Sequence, residues 1–111
     1  MTQAPQAPQK NRRTVLEAFV AANPKDPFAR YGLAMECANA GDCEAAVSHF
    51  QQLLADHPDY VAAYHQYAQL LTRLERVAEA RQILATGIEV ARHAGNEHAR
   101  SEMQSMLDSI A

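Results

Sequence analysis

The sequence predicts an all-α fold, a short stack of antiparallel helix-turn-helix repeats with about six helices. Three observations lead there. Residues 34 positions apart keep matching: Pro24 with Pro58, Ala29 with Ala63, Ala34 with Ala68, Ala46 with Ala80, and Leu16, Phe50 and Leu84 in succession. Between the matches, apolar residues recur every three or four positions, the spacing that lines one face of a helix. Breakers recur as well, with Asn23-Pro24, Ala40-Gly41-Asp42 and His57-Pro58-Asp59 standing where helical stretches end. A unit this short cannot bury its own apolar face, so stability has to come from stacking each unit on the next.

Taken in order, residues 1–11 open with a run of Gln, Ala and Pro and then turn basic without any apolar stretch. They read as a flexible Pro/Gln-rich tail, neither a signal peptide nor a membrane span. Val15, Leu16, Phe19 and Val20 form the stripe of a first helix over Arg12–Ala22, closed by Asn23 and Pro24. Asp26 before Pro27 is an N-cap with proline at the first helical position, and the second helix then carries Leu33, Ala34, Cys37 and Ala38 on one side as far as Ala40. Gly41 suits the left-handed residue that closes a helix and Asp42 caps the next, which runs over Cys43–Asp56. Asp59 is read as the cap of a fourth helix over Tyr60–Leu74, on which Val61, Tyr64, Tyr67, Ala68 and Leu71 repeat the earlier face. A fifth helix runs from Val77 to about His93, where Gly95 and Asn96 stop it and cap a successor. The final stretch sets Ala99, Met103, Met106, Leu107 and Ile110 among polar residues, a closing helix with one wet face.

At 111 residues the chain is one domain, long enough to withdraw roughly two-thirds of its extended surface from water. Ten basic against thirteen acidic residues give a net charge of −3, interspersed rather than patched, which argues against phosphate backbones and anionic lipid as partners. Cys37 and Cys43 are the only cysteines, and their place in helical patterning makes them small apolar side chains rather than a disulfide. With no targeting segment in the sequence, a cytoplasmic protein is expected.

Within the period, Arg30, Leu33, Ala34, Cys37, Ala46, Phe50 and Pro58 occupy fixed places in one unit, and Tyr64, Tyr67, Ala68, Leu71, Ala80, Leu84 and Arg92 occupy them in the next. This register resembles the tetratricopeptide repeat family, most specifically in Ala40-Gly41-Asp42, Ala46-x-x-x-Phe50 and Asp56-His57-Pro58. The resemblance implies a half repeat or capping helix over 12–23, repeats over 27–60 and 61–94, and a capping helix over 97–111. Three departures stand out. Arg30 replaces the usual large aromatic, Glu75-Arg76 replaces the Gly-Asp turn, and Arg92 replaces the closing proline. A residue other than glycine must then accept the left-handed turn, and the fifth helix is free to run longer.

The resemblance also implies a groove lined by the first helix of each repeat, holding an extended or helical peptide. The matching positions are Phe28, Tyr31, Met35 and Asn39, followed by His65, Gln69, Thr72 and Arg73. Aromatic and thioether surface beside amide, imidazole and guanidinium groups suits a mixed apolar and polar peptide. The competing reading packs Phe28 and Tyr31 against the preceding helix and leaves Arg73 a solvated charge at a helix end. Family members that clamp the carboxyl terminus of heat-shock chaperones place Lys and Asn one turn apart where this chain has Tyr31 and Met35, so that ligand is not expected.

Nothing in the sequence assembles a catalytic set. Cys37 and His65 come nearest, and Cys37 faces the core. His93 and His98 flank Gly95-Asn96 without the one-face spacing of a metal pair, and neither metal nor cofactor is expected. The sequence therefore points to a non-catalytic module binding a protein or peptide. Its alternative is a structural subunit that acts by self-association, with a homodimer formed through the exposed Val15 and Phe19 or through the methionine-bearing last helix.

Overall fold

A computed structural model describes residues 8–110 of the chain. Six helices occupy the described residues: α1 (Pro8–Ala22), α2 (Pro27–Asn39), α3 (Cys43–Asp56), α4 (Val61–Arg73), α5 (Val77–His93) and α6 (Glu97–Ser109). They stack in chain order into a body of 53 × 28 × 22 Å. Helix α1 begins four residues earlier than the apolar stripe predicts, so residues 8–11 are helical rather than part of a tail. Proline suits that first position, because its missing N–H is one that a helix leaves unpaired anyway. The remainder of the predicted tail, residues 1–7, lies outside the described residues.

Capping chemistry fixes most of the other boundaries. The Asp26 carboxylate accepts from the Phe28 and Ala29 N–H groups at 2.9 and 3.2 Å, Asp42 accepts from Ala45 N–H at 3.3 Å, and Asn96 accepts from Ala99 N–H at 3.1 Å. Asp59 does not cap α4. The residue at the N-cap is Tyr60, whose side chain makes no capping bond, because the turn closed by Tyr60 N–H on the His57 carbonyl leaves Asp59 one position too early. Helix α4 ends at Arg73, and α5 runs 17 residues against 14 for α3, the extension expected where proline is absent at position 92.

The turns α2–α3, α4–α5 and α5–α6 share one hydrogen-bond pattern. Asp42, Arg76 and Asn96 donate their N–H to the carbonyls of Cys37, Leu71 and Ala91 at 2.8–2.9 Å, each across a left-handed residue. That residue is Gly41 at φ 85°, Gly95 at φ 71°, and, in the middle turn, Glu75 at φ 62°. Glu75 itself therefore accepts the conformation glycine would take at no steric cost.

Packing follows the repeat. Ala34, Ala46, Ala63, Ala68, Ala80 and Ala91 are fully buried, and their small side chains let neighbouring helices approach closely. Phe50 of α3 stacks on Tyr67 of α4, with ring centroids 5.4 Å apart and planes 15° apart, and this pair joins the two full repeats. Cys37 is buried and free, as its apolar face requires, and Cys43 is a free thiol at the start of α3. Arg30, standing where the family has an aromatic, straps two elements, its guanidinium reaching His49 Nδ1 at 3.1 Å and the Pro24 carbonyl at 3.3 Å.

Two features have no counterpart in the sequence reading. Glu36 is a buried carboxylate on α2, paired with Arg12 of α1 at 3.2 Å, and it ties the first helix to the stack. At Gly87 helices α4, α5 and α6 approach closely, for a β-carbon there would lie 2.6 Å from Tyr64 Cβ and 2.7 Å from Met103 Sδ. The two ends of the stack also differ. Helix α6 turns His98, Ser101, Glu102, Ser105 and Asp108 to solvent, whereas the open side of α1 exposes Val15 and Phe19. No described helix is long and apolar enough to cross a membrane.

Candidate partner-binding groove

Helix α2 touches α4, and α4 touches α6, so the first helices of the two repeats and the closing helix lie side by side. The eight groove positions fall along this row. Phe28 stands at one end, 77% exposed on the first turn of α2, where the Asp26–Pro27 cap projects it from the helix start. It borders an apolar opening of about 350 Å³ shared with Leu16, Phe19, Ala29, Tyr31 and Gly32.

Tyr31 is half-buried. Its ring lies 5.3 Å from Tyr60 and 6.5 Å from Phe50, so it packs chiefly on the hairpin that follows and only its edge borders the opening. Burial raises its phenolic pKa above the ordinary value, which keeps the hydroxyl neutral. Met35, Asn39, Gln69 and Arg73 converge further along, around a smaller opening of about 130 Å³ between α2 and α4. Arg73 is neither a free charge nor wholly available to a ligand, because its guanidinium donates to the Ala38 carbonyl at 3.2 Å and so braces the end of α2.

His65 and Thr72 are less committed to that opening. The Thr72 hydroxyl donates to the Ala68 carbonyl within its own helix at 2.9 Å. His65 contacts Gln69 Nε2 at 3.3 Å and stands 3.9 Å from Glu102 of α6, in a separate opening of about 230 Å³ that also takes in His98 and Asn96. Seven of the eight groove positions, all but Thr72, are thus divided among three adjacent openings. Phe28 and Tyr31 share the first, Met35, Asn39, Gln69 and Arg73 the second, and His65 borders the third.

Packing of Phe28 against the preceding helix, the competing reading, does not occur; Tyr31 does pack, on the following hairpin. A larger cleft of about 590 Å³ was not legible in the sequence: Pro58 and Asp59 face Glu89, Val90, His93 and Ala94 across it. Its one sequence signal is the lost proline at position 92, which lets α5 extend far enough to form the second wall. Among the described residues, no group of three or more His, Cys, Asp or Glu is placed to hold a metal ion.

Comparison with known proteins agrees with this architecture. The sequence profile described as tetratricopeptide repeat matches residues 38–101. A TPR repeat-containing protein of Pseudomonas aeruginosa, PA0015, is 29% identical over 95 residues, covering 86% of this chain and 90% of the relative. The solution structure of a tetratricopeptide repeat domain protein from Salinibacter ruber is 38% identical, covers 78% of this chain and 88% of that one, and superposes with a TM-score of 0.75. Protein BPP2914 of Bordetella parapertussis, 25% identical, covers 96% of this chain and 89% of its own, with a TM-score of 0.77. Repeats of this kind generally serve as protein-protein interaction modules. By its register, its repeated turns and these matches, the chain belongs to the tetratricopeptide repeat family.

Proposed function

We propose that this chain is a cytoplasmic, non-catalytic interaction module that holds a peptide segment of a partner protein along the α2–α4–α6 row. The observation that carries the reading is Phe28, a large aromatic left 77% exposed beside an apolar opening and followed along the row by Met35, Asn39, Gln69 and Arg73. An apolar anchor at one end and amides with a guanidinium beyond it fit a peptide with a hydrophobic residue near one terminus and hydrogen-bonding groups along its length. Because the apolar end dominates, raising salt weakens such binding only modestly.

The test selects ligands from a random peptide library on the immobilised protein and titrates the best one by calorimetry. Replacing Phe28 and Gln69 by alanine removes two exposed side chains and leaves the core intact. A buried hot-spot aromatic is worth about 2 kcal/mol or more, so affinity is expected to fall at least about thirty-fold with helicity unchanged. A selected peptide that binds the double variant as tightly as the wild type would overturn the groove assignment. The second reading, self-association, rests on Val15 and Phe19 of α1, of which Phe19 also borders the opening beside Phe28.

A further inference from the structure

We propose that two copies of this chain associate weakly through α1, antiparallel across a two-fold axis, each α1 covering its counterpart as α2 covers α3 within the chain. This goes beyond the groove reading and does not depend on it. The 34-residue register sets α1 over α3, with Leu16 matching Phe50 and Phe19 matching Leu53. On α3 those two positions are 1% exposed, enclosed by α2 and, at Phe50, by Tyr67 of α4 as well. On α1, Leu16 is half-buried against Gly32 of α2, but no described residue encloses Phe19, which is 47% exposed, or Val15 beside it, which is 66% exposed, since α2 is the one helix that α1 packs against. The opening of about 350 Å³ bordered by Leu16, Phe19 and Phe28 is therefore the place of an absent helix.

The internal copy also says what kind of helix fits. Helix α2 covers α3 with a large side chain, Leu33, beside small ones, Ala34 and Cys37. The open side of α1 reads Val15, Ala18, Phe19 and Ala22, at i, i+3, i+4 and i+7, the same mixture of large and small. Such a face is self-complementary, since the Phe19 ring of one copy meets the space left by Ala18 and Ala22 of the other. Antiparallel packing is the relation α2 already has to α3, and it is one a two-fold axis permits.

Charge agrees. Arg12, paired with Glu36, flanks this face and Asp26 borders the opening; antiparallel pairing sets the two copies of Arg12 about 20 Å apart at 1.5 Å per residue, well beyond the screening length of about 8 Å. Two other occupants fit less well. Helix α6 of another copy presents His98, Ser101, Ser105 and Asp108, which would be desolvated in an apolar slot. Residues 1–7 carry Met1 as their one large apolar side chain.

The exposed parts of Val15, Phe19 and Phe28 offer roughly 350 Å² of apolar surface per copy, which places the pair among small, transient interfaces. The expected dissociation constant is on the order of 10 µM or weaker. Sedimentation velocity from about 5 to about 500 µM tests this, with the mass rising towards twice the monomer as concentration increases. In the same range a Val15→Asp/Phe19→Asp variant, helical by circular dichroism, is expected to stay monomeric. Amide shift changes between dilute and concentrated wild type are expected along α1 and the first turn of α2. A wild type monomeric throughout, a dimer that survives the double substitution, or shift changes centred on α4 and α6 would each overturn the proposal. Dimerisation seen only after deletion of residues 1–7 would overturn it too, in favour of that segment as the occupant.

Discussion

Gly32 and Gly87 both lie inside helices, and the structure gives them opposite responses to a single added methyl. In an isolated helix Gly→Ala stabilises by about 1 kcal/mol, because alanine loses less backbone entropy. At Gly32 the new Cβ would meet Leu16 Cδ2 at 3.6 Å, an ordinary contact, so Gly32→Ala is expected to keep about 0.5–1 kcal/mol of that gain. At Gly87 the Cβ would fall 2.6 Å from Tyr64 Cβ and 3.0 Å from Tyr64 Cγ.

Met103 can move its sulfur aside, but Tyr64 Cβ sits on the backbone of α4, and the Tyr64 hydroxyl is held by the Pro58 carbonyl at 2.5 Å. Relief therefore requires α4 and α5 to part by roughly 1 Å, since carbon atoms rest about 3.5–4 Å apart. Overpacking costs about 1–3 kcal/mol, and a clash with an atom fixed to the backbone belongs at the upper end of that range, so after the propensity gain of about 1 kcal/mol Gly87→Ala is left about 1–2 kcal/mol less stable than wild type. For a domain of this size that is a fall of about 5–10 °C in Tm, against a rise of a few degrees for Gly32→Ala. Thermal melts followed by circular dichroism decide it. If both variants melt above the wild type, the close approach at Gly87 is not what holds α4, α5 and α6 together.

Glu75 holds a left-handed φ of 62° that costs a side chain about 1 kcal/mol, so Glu75→Gly is expected to raise the urea midpoint by the equivalent of about 0.5–1 kcal/mol; an unchanged or lower midpoint refutes the strain. His49 is held below its ordinary pKa, first by burial and then by the nearby Arg30 and Arg13 guanidinium groups. The unfolded chain therefore takes up this proton at about pH 6.5, before the folded one does, and the stability His49 confers is complete above that pH and lost as pH falls through the lowered folded value. His49→Gln is expected to flatten the fall in Tm below about pH 6.5, and parallel wild-type and variant curves would exclude His49 as the cause. The loss of peptide affinity in the Phe28/Gln69 variant and the loss of self-association in the Val15/Phe19 variant complete the set; because Phe19 and Phe28 border one opening, Gln69→Ala alone is the substitution expected to weaken the peptide and leave self-association unchanged.

Much of the fold was legible because its determinants are local. Helices α3 and α5 occupy the residues their apolar spacing and breakers predict, and the Asp26, Asp42 and Asn96 caps act where side chains of their type belong. Asp59 failed as a cap because a one-residue difference in the turn, set by the Tyr60–His57 bond, moved it out of reach. The groove was legible as a set of positions and illegible as surroundings. Phe28 and Tyr31 share a face by register, yet one projects into solvent while the other is held by Phe50 and Tyr60.

By itself, then, the sequence determined six helices, their turns and their order of stacking, because periodicity, capping and breaker residues act over a few neighbours and the 34-residue register repeats them. Only the tertiary structure decided that Glu36 is buried against Arg12, that Arg73 braces the end of α2, and that a side chain at Gly87 would meet Tyr64 and Met103. Each of these depends on distances between helices, and those distances come from the joint packing of side chains far apart in the chain, which no local pattern encodes.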